Sequence, residues 1–141
     1  MIAVNVSRAE RSFRITKKTV ETIVRFVLKK EKHSAGNIHI IFVNDKIIFH
    51  INKNFLHHYS TTDVITFSLG EHGELYCEIY VNIVQARRQA KKYKVSMKNE
   101  LIRLIVHGLL HAVGYNDLHR KQKEKMVRIQ EQYVAELSSI L

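Results

Sequence analysis

Hydrophobic residues alternate with polar ones at 2–6 and at 74–83, a pattern that places apolar side chains on one face of a β-strand, and a run of β-branched and aromatic residues at 37–43 also predicts a strand. The predicted strands cover residues 2–6, 37–43, 63–69 and 74–83. The alternation is clearest in the last stretch, where Cys77, Ile79 and Val81 fall on one face. A turn at 70–73, which contains two glycines, joins the last two strands, so we predict an antiparallel hairpin there.

Five other stretches repeat apolar residues at intervals of three and four, which is the spacing of an amphipathic helix. Side chains suited to N-capping precede the first, second and fourth of these helices: Thr16, Asn44 or Asp45, and Ser96. The third and fifth helices are predicted over 84–93 and 120–137. Five apolar residues of the last helix are predicted to face inward: Met126, Val127, Tyr133, Val134 and Leu137.

The predicted order of elements is β, α, β, α, β, β, α, α, α, which indicates an α+β fold with a mixed four-stranded sheet and helices packed on it. The length of 141 residues supports one domain over 1–141. Hydrophobic residues make up 45% of the chain, enough to form a core and too many for a disordered tail.

The chain is strongly basic, with 23 lysines and arginines against 13 aspartates and glutamates and a net charge of +10. Nucleic acid is favoured over a membrane surface as the partner, because no predicted helix combines a basic face with large exposed apolar anchors. Arg103, His107 and His111 interrupt the longest apolar run, so we predict no membrane-spanning segment. With no secretory signal in the first residues, we expect a cytoplasmic protein. The one cysteine, Cys77, excludes an internal disulfide or a site of several thiolates.

The segment before the last predicted helix carries the pattern most indicative of chemistry. His107 and His111 are four residues apart on one helix, so they project from the same face, within reach of one divalent cation. Gly114 can adopt a left-handed conformation and turn the chain back. Asp117, ten residues after His107, has the spacing of the third ligand in zincin-type sites, and His119 is the alternative third ligand. Three protein ligands would leave a fourth position for water.

Gly108 occupies the position where metalloproteases with a His-Glu-x-x-His motif carry the glutamate that acts as general base. The sequence therefore disfavours simple peptidase chemistry. Histidine and carboxylate ligands do not by themselves select zinc over nickel, cobalt or manganese.

The motif His-Gly-x-Leu-His-x-x-Gly-Tyr at 107–115, followed by Glu-Lys-Met at 124–126, resembles the signature of the YbeY family of bacterial metal-dependent endoribonucleases, also called ribosomal RNA maturation factors. Upstream, Asn54 and the block Thr-Asp-Val-Ile-Thr-Phe at 62–67 resemble the family's Asn and Thr-Asp-Val-Leu-Ser-Phe block. The order of strands and helices agrees as well, so the resemblance extends over nearly the whole chain.

This resemblance implies a zincin-like α+β fold and one zinc ion per chain, held by three side chains. It further implies cleavage of single-stranded RNA in the maturation of small-subunit ribosomal RNA and in ribosome assembly. The implied partners are RNA, ribosomal RNA in particular, and the small ribosomal subunit. Two alternatives stay open: an RNA-binding ribosome-assembly factor with a largely structural zinc, and a metal-dependent hydrolase of peptides or amides.

Three positions depart from the family pattern. The third histidine of the family falls on Asp117, so an aspartate ligand must take its place. The family's proline before Thr-Asp-Val is Thr61 here. An arginine that many members carry six positions before that threonine, and that is thought to matter for catalysis, falls on Leu56, which weakens the case for strong nuclease activity but not for the metal site. The neighbouring His57 and His58 are interpreted as exposed loop residues.

Arg103 lies one turn before His107 on the same predicted helix face. Together with His107 and His111 it is a candidate catalytic residue, because a cation there can stabilise transition-state charge. Two groups of basic residues are candidates to line a groove that follows RNA phosphates, with Tyr93 or Tyr115 stacking on bases. They are Arg87, Arg88, Lys91, Lys92 and Lys94, and Arg120, Lys121, Lys123, Lys125 and Arg128.

Overall fold

The computed structural model describes residues 1–57 and 60–141. Within these residues it contains four strands and five helices in the predicted order. The strands are β1 (Ile2–Arg8), β2 (Gly36–Val43), β3 (Val64–Ser68) and β4 (Tyr76–Asn82). The helices are α1 (Lys17–Lys30), α2 (Asp45–Phe55), α3 (Ile83–Tyr93), α4 (Met97–Ala112) and α5 (Arg120–Ile140). His58 lies outside the described residues.

The four strands form one sheet in the order β1-β2-β4-β3. Strands β1, β2 and β4 are parallel, whereas β3 runs antiparallel to β4 along the edge. Thr66 pairs with Ile79 and Ser68 with Cys77, as expected for a hairpin closed by the turn at 70–73. The predictions of a hairpin and of an α+β fold with a mixed four-stranded sheet are therefore confirmed.

Helices cover the two faces of the sheet unequally. On one face, residues such as Ile79 pack with α1, α4 and α5 in a large core that includes Ile105 and Leu137. On the other face, α2 contributes Ile48 to a small cluster around Ile65. Helix α4 lies on β3 and β4 and is flanked by α3 and α5. No helix in the described part of the chain has the length and apolar character needed to cross a membrane.

The predicted N-caps are confirmed at three helices. The Thr16 hydroxyl accepts a hydrogen bond from the backbone N–H of Thr19 (3.1 Å), and the Ser96 hydroxyl accepts one from Asn99 (3.0 Å). Of the two candidates for α2, Asn44 is the cap. Each cap satisfies a backbone donor that the helix itself leaves unpaired.

The prediction that Val127 faces inward is wrong, because its side chain is exposed. The inward face of α5 instead carries Gln130, which is 8% exposed, together with Met126 and Tyr133. Val127 follows Met126 directly, so it is rotated by about 100° around the helix from the buried face. It lines the cavity between α5 and α4 instead.

Candidate metal centre

Helix α4 presents His107 and His111 side by side at the surface of the core. The histidines are one turn apart, and their rings lie edge to face with centroids 4.6 Å apart. Their Nε2 atoms point at each other and are separated by 3.1 Å. Both residues are half-buried, so the pair is fixed by packing and is still open to solvent on one side.

Gly108 brings α4 into direct contact with the sheet between the two histidines. A Cβ atom at this position would lie 2.6 Å from Cγ2 of Ile79 and 3.1 Å from Oγ1 of Thr66. The Thr66 hydroxyl donates a hydrogen bond to the Gly108 carbonyl (3.1 Å), which fixes the helix against the edge hairpin. A glutamate at this position would have to displace Ile79 and Thr66, so the packing of α4 on the sheet favours the glycine that the sequence places there.

The chain turns back directly after α4 and brings Asp117 to the histidine pair. Gly114 adopts a φ of 110°, the left-handed region predicted for it, and the N–H of Tyr115 donates to the carbonyl of Leu110 (3.0 Å). The Asp117 Oδ2 atom lies 3.9 Å from Nε2 of His111. Two residues on a helix and one on the following turn therefore lie close together.

Hydrogen bonds to the far side of each ring determine which nitrogen is available to a metal. Nδ1 of His111 lies 3.1 Å from the carbonyl oxygen of Tyr115, which can only accept, so Nδ1 carries the proton. Nδ1 of His107 lies 2.7 Å from Oε1 of Gln130. Both rings are thus oriented with Nε2 directed toward Asp117 and toward each other.

The spacing of the two histidine nitrogens matches that of ligands on a divalent metal ion, and Asp117 offers a third donor close by. Two nitrogens bound to a tetrahedral zinc at about 2.0–2.1 Å lie roughly 3.3 Å apart, close to the observed Nε2–Nε2 distance. Two unprotonated Nε2 atoms at this distance repel each other unless a cation lies between them. One donor atom each from His107, His111 and Asp117 lie within 4.8 Å of one another. His119, the alternative third ligand, is not part of this group and occupies the N-cap position of α5.

The surroundings of His111 favour its neutral form, which is the form that binds a metal. Burial and the nearby His107 lower the pKa of His111 below its ordinary value of 6.5, and these effects outweigh the opposing influence of Asp117. Neutral imidazole is therefore available at neutral pH without a cost of deprotonation.

Two cavities of different character flank the histidine pair. A cavity of about 640 Å³ lies beside His107 between α3, α4 and α5, and its walls include Tyr93, Lys123 and Val127. A second cavity of about 550 Å³ lies beside His111 along β3. Its lining is rich in hydroxyl groups: Ser60, Thr61, Thr62, Thr66 and Ser68. The histidines thus stand between two openings, each large enough for part of a nucleotide.

Leu56, which the resemblance matches to an arginine of the family, lines the second cavity. Its side chain is 39% exposed. No lysine or arginine is among the described residues that line this cavity. Stabilisation of negative charge beside His111 therefore has to come from outside the described lining of this cavity.

Arg103 lines the cavity beside His107, but its guanidinium is engaged by carboxylates. It donates to both oxygens of Glu131 (2.9 and 3.0 Å) and to Glu100 (2.8 Å). Glu100 is only 1% exposed and also accepts from the side chain of Gln89 (2.7 Å). These contacts raise the pKa of Arg103, with the bond to Glu131 as the main cause. Its charge is thus largely balanced by neighbouring groups.

The two predicted basic groups lie at the surface, and some of their members are paired. Arg88 forms a bidentate ion pair with Asp45, and Arg120 pairs with Glu124 at 3.0 Å. Lys123 projects into the cavity beside His107, with no carboxylate partner within 4 Å among the described residues. Of the two tyrosines proposed for stacking, Tyr93 is 59% exposed and lines the same cavity, whereas Tyr115 packs against the core.

Sequence reasoning missed the side chains behind His107. Gln130 on α5 and Glu100 on α4 are polar, but the helical spacing of apolar residues predicts a buried position for each of them. A polar side chain at such a position needs a partner, because burial without one is costly. That signal was present in the sequence, but the partner of each residue lies on another helix and only the fold reveals it.

Comparison with known proteins agrees with this geometry. The chain matches the protein-family model described as Endoribonuclease YbeY over residues 3–138. It is 32% identical over 130 residues to the Endoribonuclease YbeY of Chlorobaculum tepidum, covering 89% of this chain and 95% of that protein. It is 36% identical over 108 residues to the Endoribonuclease YbeY of Cytophaga hutchinsonii, covering 76% of each.

A solved structure shares the fold. The solution structure of TM1509 from Thermotoga maritima superposes with a TM-score of 0.68 at 26% sequence identity, covering 95% of this chain and 88% of that one. The family match extends over both elements that carry the metal-site residues and over the sheet that supports them. The chain therefore belongs to the Endoribonuclease YbeY family.

Proposed function

We propose that the chain, as a single domain over 1–141, binds one zinc ion through His107, His111 and Asp117 and cleaves single-stranded RNA. We further propose that the substrate is ribosomal RNA of the small subunit and that the protein acts in the cytoplasm during ribosome assembly. The observation that carries the proposal is the convergence of three donor side chains within 4.8 Å, between two open cavities, in a chain of an endoribonuclease family.

The residues of the site have separable roles in this proposal. His107, His111 and Asp117 hold the ion, and a zinc ion held there would supply Lewis-acid chemistry, activating water near neutral pH and withdrawing charge from a phosphoryl oxygen. Lys123 is placed to bind an RNA phosphate in the cavity beside His107. Tyr93, on the wall of the same cavity, offers an exposed ring for a base to stack on.

One observation favours a second candidate, an RNA-binding ribosome-assembly factor in which the metal is structural. Leu56 leaves the cavity beside His111 without a cation among its described lining residues, so negative charge that develops there has less stabilisation. The third alternative, a hydrolase of peptides or amides, is disfavoured because Gly108 stands where such enzymes use a glutamate as a base, and a glutamate there would have to displace Ile79 and Thr66.

Cleavage of a labelled single-stranded RNA by the purified protein separates the first two candidates. We expect the wild type to cleave the RNA, a chelator to abolish cleavage and added zinc to restore it. We expect His111→Ala to lose both the bound metal and the cleavage. The matched control is His50→Ala, which removes an exposed histidine on α2. RNA binding and metal content without any cleavage would favour the assembly factor, and full cleavage by His111→Ala would contradict the metal site.

Metal content of further variants identifies the third ligand. We expect Asp117→Ala to lose metal and His119→Ala to retain it, since only the Asp117 carboxylate lies with the histidine donors. The reverse result would assign the third position to His119.

Salt dependence tests the role of the basic surface. Each phosphate contact with single-stranded nucleic acid contributes a slope of about −0.7 to the logarithmic plot of affinity against salt concentration. We expect Lys123→Gln to make the slope less steep by the contribution of about one phosphate contact. Lys18→Gln, on α1, should leave the slope unchanged. A flat salt dependence in the wild type would contradict phosphate binding.

A further inference from the structure

A chain of hydrogen bonds extends from His107 into the groove between α4 and α5. Nδ1 of His107 lies 2.7 Å from Oε1 of Gln130. The amide nitrogen of Gln130 donates to the carboxylate of Glu131 (3.0 Å), and Arg103 holds that carboxylate with two further bonds. Gln130 is 8% exposed, so water competes little for its amide.

The identity of these partners determines which group donates and which accepts in each of these hydrogen bonds. A carboxylate only accepts hydrogen bonds, so the end of Gln130 that faces Glu131 must be its NH₂ group. Its oxygen is then the end that faces His107. An amide oxygen also only accepts, so the proton of the neutral His107 ring must lie on Nδ1. Nε2 is left with its lone pair directed at the other two ligands.

We propose that Gln130 is a positioning residue for the metal site, and that it holds His107 in the orientation and tautomer in which Nε2 binds the ion. The inference rests on the metal site of the proposed function but not on RNA as the substrate. Partners of this kind on metal-bound histidines typically change metal affinity by about 10- to 100-fold when they are removed.

Zinc affinity, measured by competition with a chromogenic chelator, tests this role. We expect Gln130→Leu to bind zinc about 10- to 100-fold more weakly than the wild type. The double variant Gln130→Glu/Glu131→Gln keeps an acceptor for Nδ1–H and a donor between the two side chains, so we expect it to restore most of the affinity. Gln132→Leu is the matched control, because it makes the same change at an exposed position on the same helix and should leave affinity unchanged.

A spectroscopic measurement on the zinc-loaded protein separates positioning from a general structural effect. We expect the Nδ1–H proton of His107 to be visible in ¹H–¹⁵N spectra of the wild type and of Gln130→Glu/Glu131→Gln, protected from exchange by its bond. In Gln130→Leu this signal should disappear, while the corresponding signal of His111, whose partner is a backbone carbonyl, remains.

Several outcomes would overturn the inference. Equal zinc affinity of Gln130→Leu and Gln132→Leu would contradict it. Absence of the His107 Nδ1–H signal in the wild type would also contradict it, and this measurement does not depend on the folding of a variant. A wild type that binds no zinc overturns both this inference and the proposed metal site. A wild type that binds zinc but cleaves no RNA overturns only the proposed catalysis, since neither measurement involves RNA.

Discussion

The two histidines of the site face one point but are held there by different parts of the protein. His107 is oriented by side chains: Gln130 contacts its ring, and Glu131 and Arg103 support Gln130 in turn. His111 is oriented by backbone, through the carbonyl of Tyr115 in the turn that follows α4. A substitution can delete the first kind of support, whereas the second is lost only when the turn itself changes.

The turn beside His111 packs against the core near the end of a distant helix. Burial and the nearby carboxylate of Glu31, at the end of α1, raise the pKa of the Tyr115 phenol. The hydroxyl of Tyr133 donates to the same carboxylate. The backbone support of His111 thus depends on packing among α1, α5 and the turn, while the support of His107 depends on a few polar contacts. We therefore expect the His107 side to be the more sensitive to single polar substitutions.

The largest expected effect comes from removing the cation behind His107. Arg103→Leu leaves the buried Glu100 without its ionic partner, and breaking such a pair typically costs about 3–5 kcal/mol of unfolding free energy. Urea denaturation measures this loss. The double variant Arg103→Leu/Glu100→Leu should recover most of it, because no buried charge remains. If Arg103 acts mainly on substrate, the single variant would instead keep its stability and lose only cleavage.

A smaller effect is expected from Gly108→Ala, which acts on both histidines at once. The added methyl group would lie 2.6 Å from Cγ2 of Ile79, so α4 must move away from the sheet. Overpacking of this kind costs about 1–3 kcal/mol, against a gain of up to about 1 kcal/mol in helix propensity. In an Ile79→Ala background the same change should cost less, as a double-mutant cycle would show. Equal costs in both backgrounds would contradict this contact.

Leu56→Arg tests the cavity on the His111 side. A cation introduced beside the proposed metal site should increase the rate of RNA cleavage, by no more than about tenfold because its geometry is not optimised. Ile140→Arg, at an exposed position near the C-terminus, adds the same charge elsewhere and is the matched control. Equal rates for the two variants would show that the cavity beside His111 does not contact the reacting phosphate.

The smallest expected effect is a dependence of stability on pH through His111. Its pKa is lowered in the folded state, mainly by burial, so below about pH 6.5 the unfolded chain binds the proton more readily than the folded one. The free energy of unfolding of the metal-free protein should therefore fall as the pH drops below that value. His111→Gln should reduce this decrease and His50→Gln should not. Identical pH profiles of the unfolding free energy for the two variants would contradict this role of His111.

Local patterns in the sequence were sufficient for most of the secondary structure. The alternation of Cys77, Ile79 and Val81 predicted β4, and the capping residues Thr16 and Ser96 marked where helices begin. These features depend on neighbours along the chain, so they can be read without knowing the fold. Val127 was placed wrongly because apolar character alone does not distinguish a core position from the wall of a cavity.

For the candidate metal site, the sequence by itself determined how close the three side chains lie, because their spacing depends on neighbours along the chain. The spacing of His107 and His111 on a helix, the left-handed Gly114 and the return of Asp117 all follow from local backbone geometry. The tertiary structure alone decided what lies behind and beside these residues. Gln130 reaches His107 from 23 positions along the chain, and Thr66 and Ile79 explain Gly108 from a different part of the fold. Such contacts arise from packing between elements, and no local pattern encodes which elements will meet.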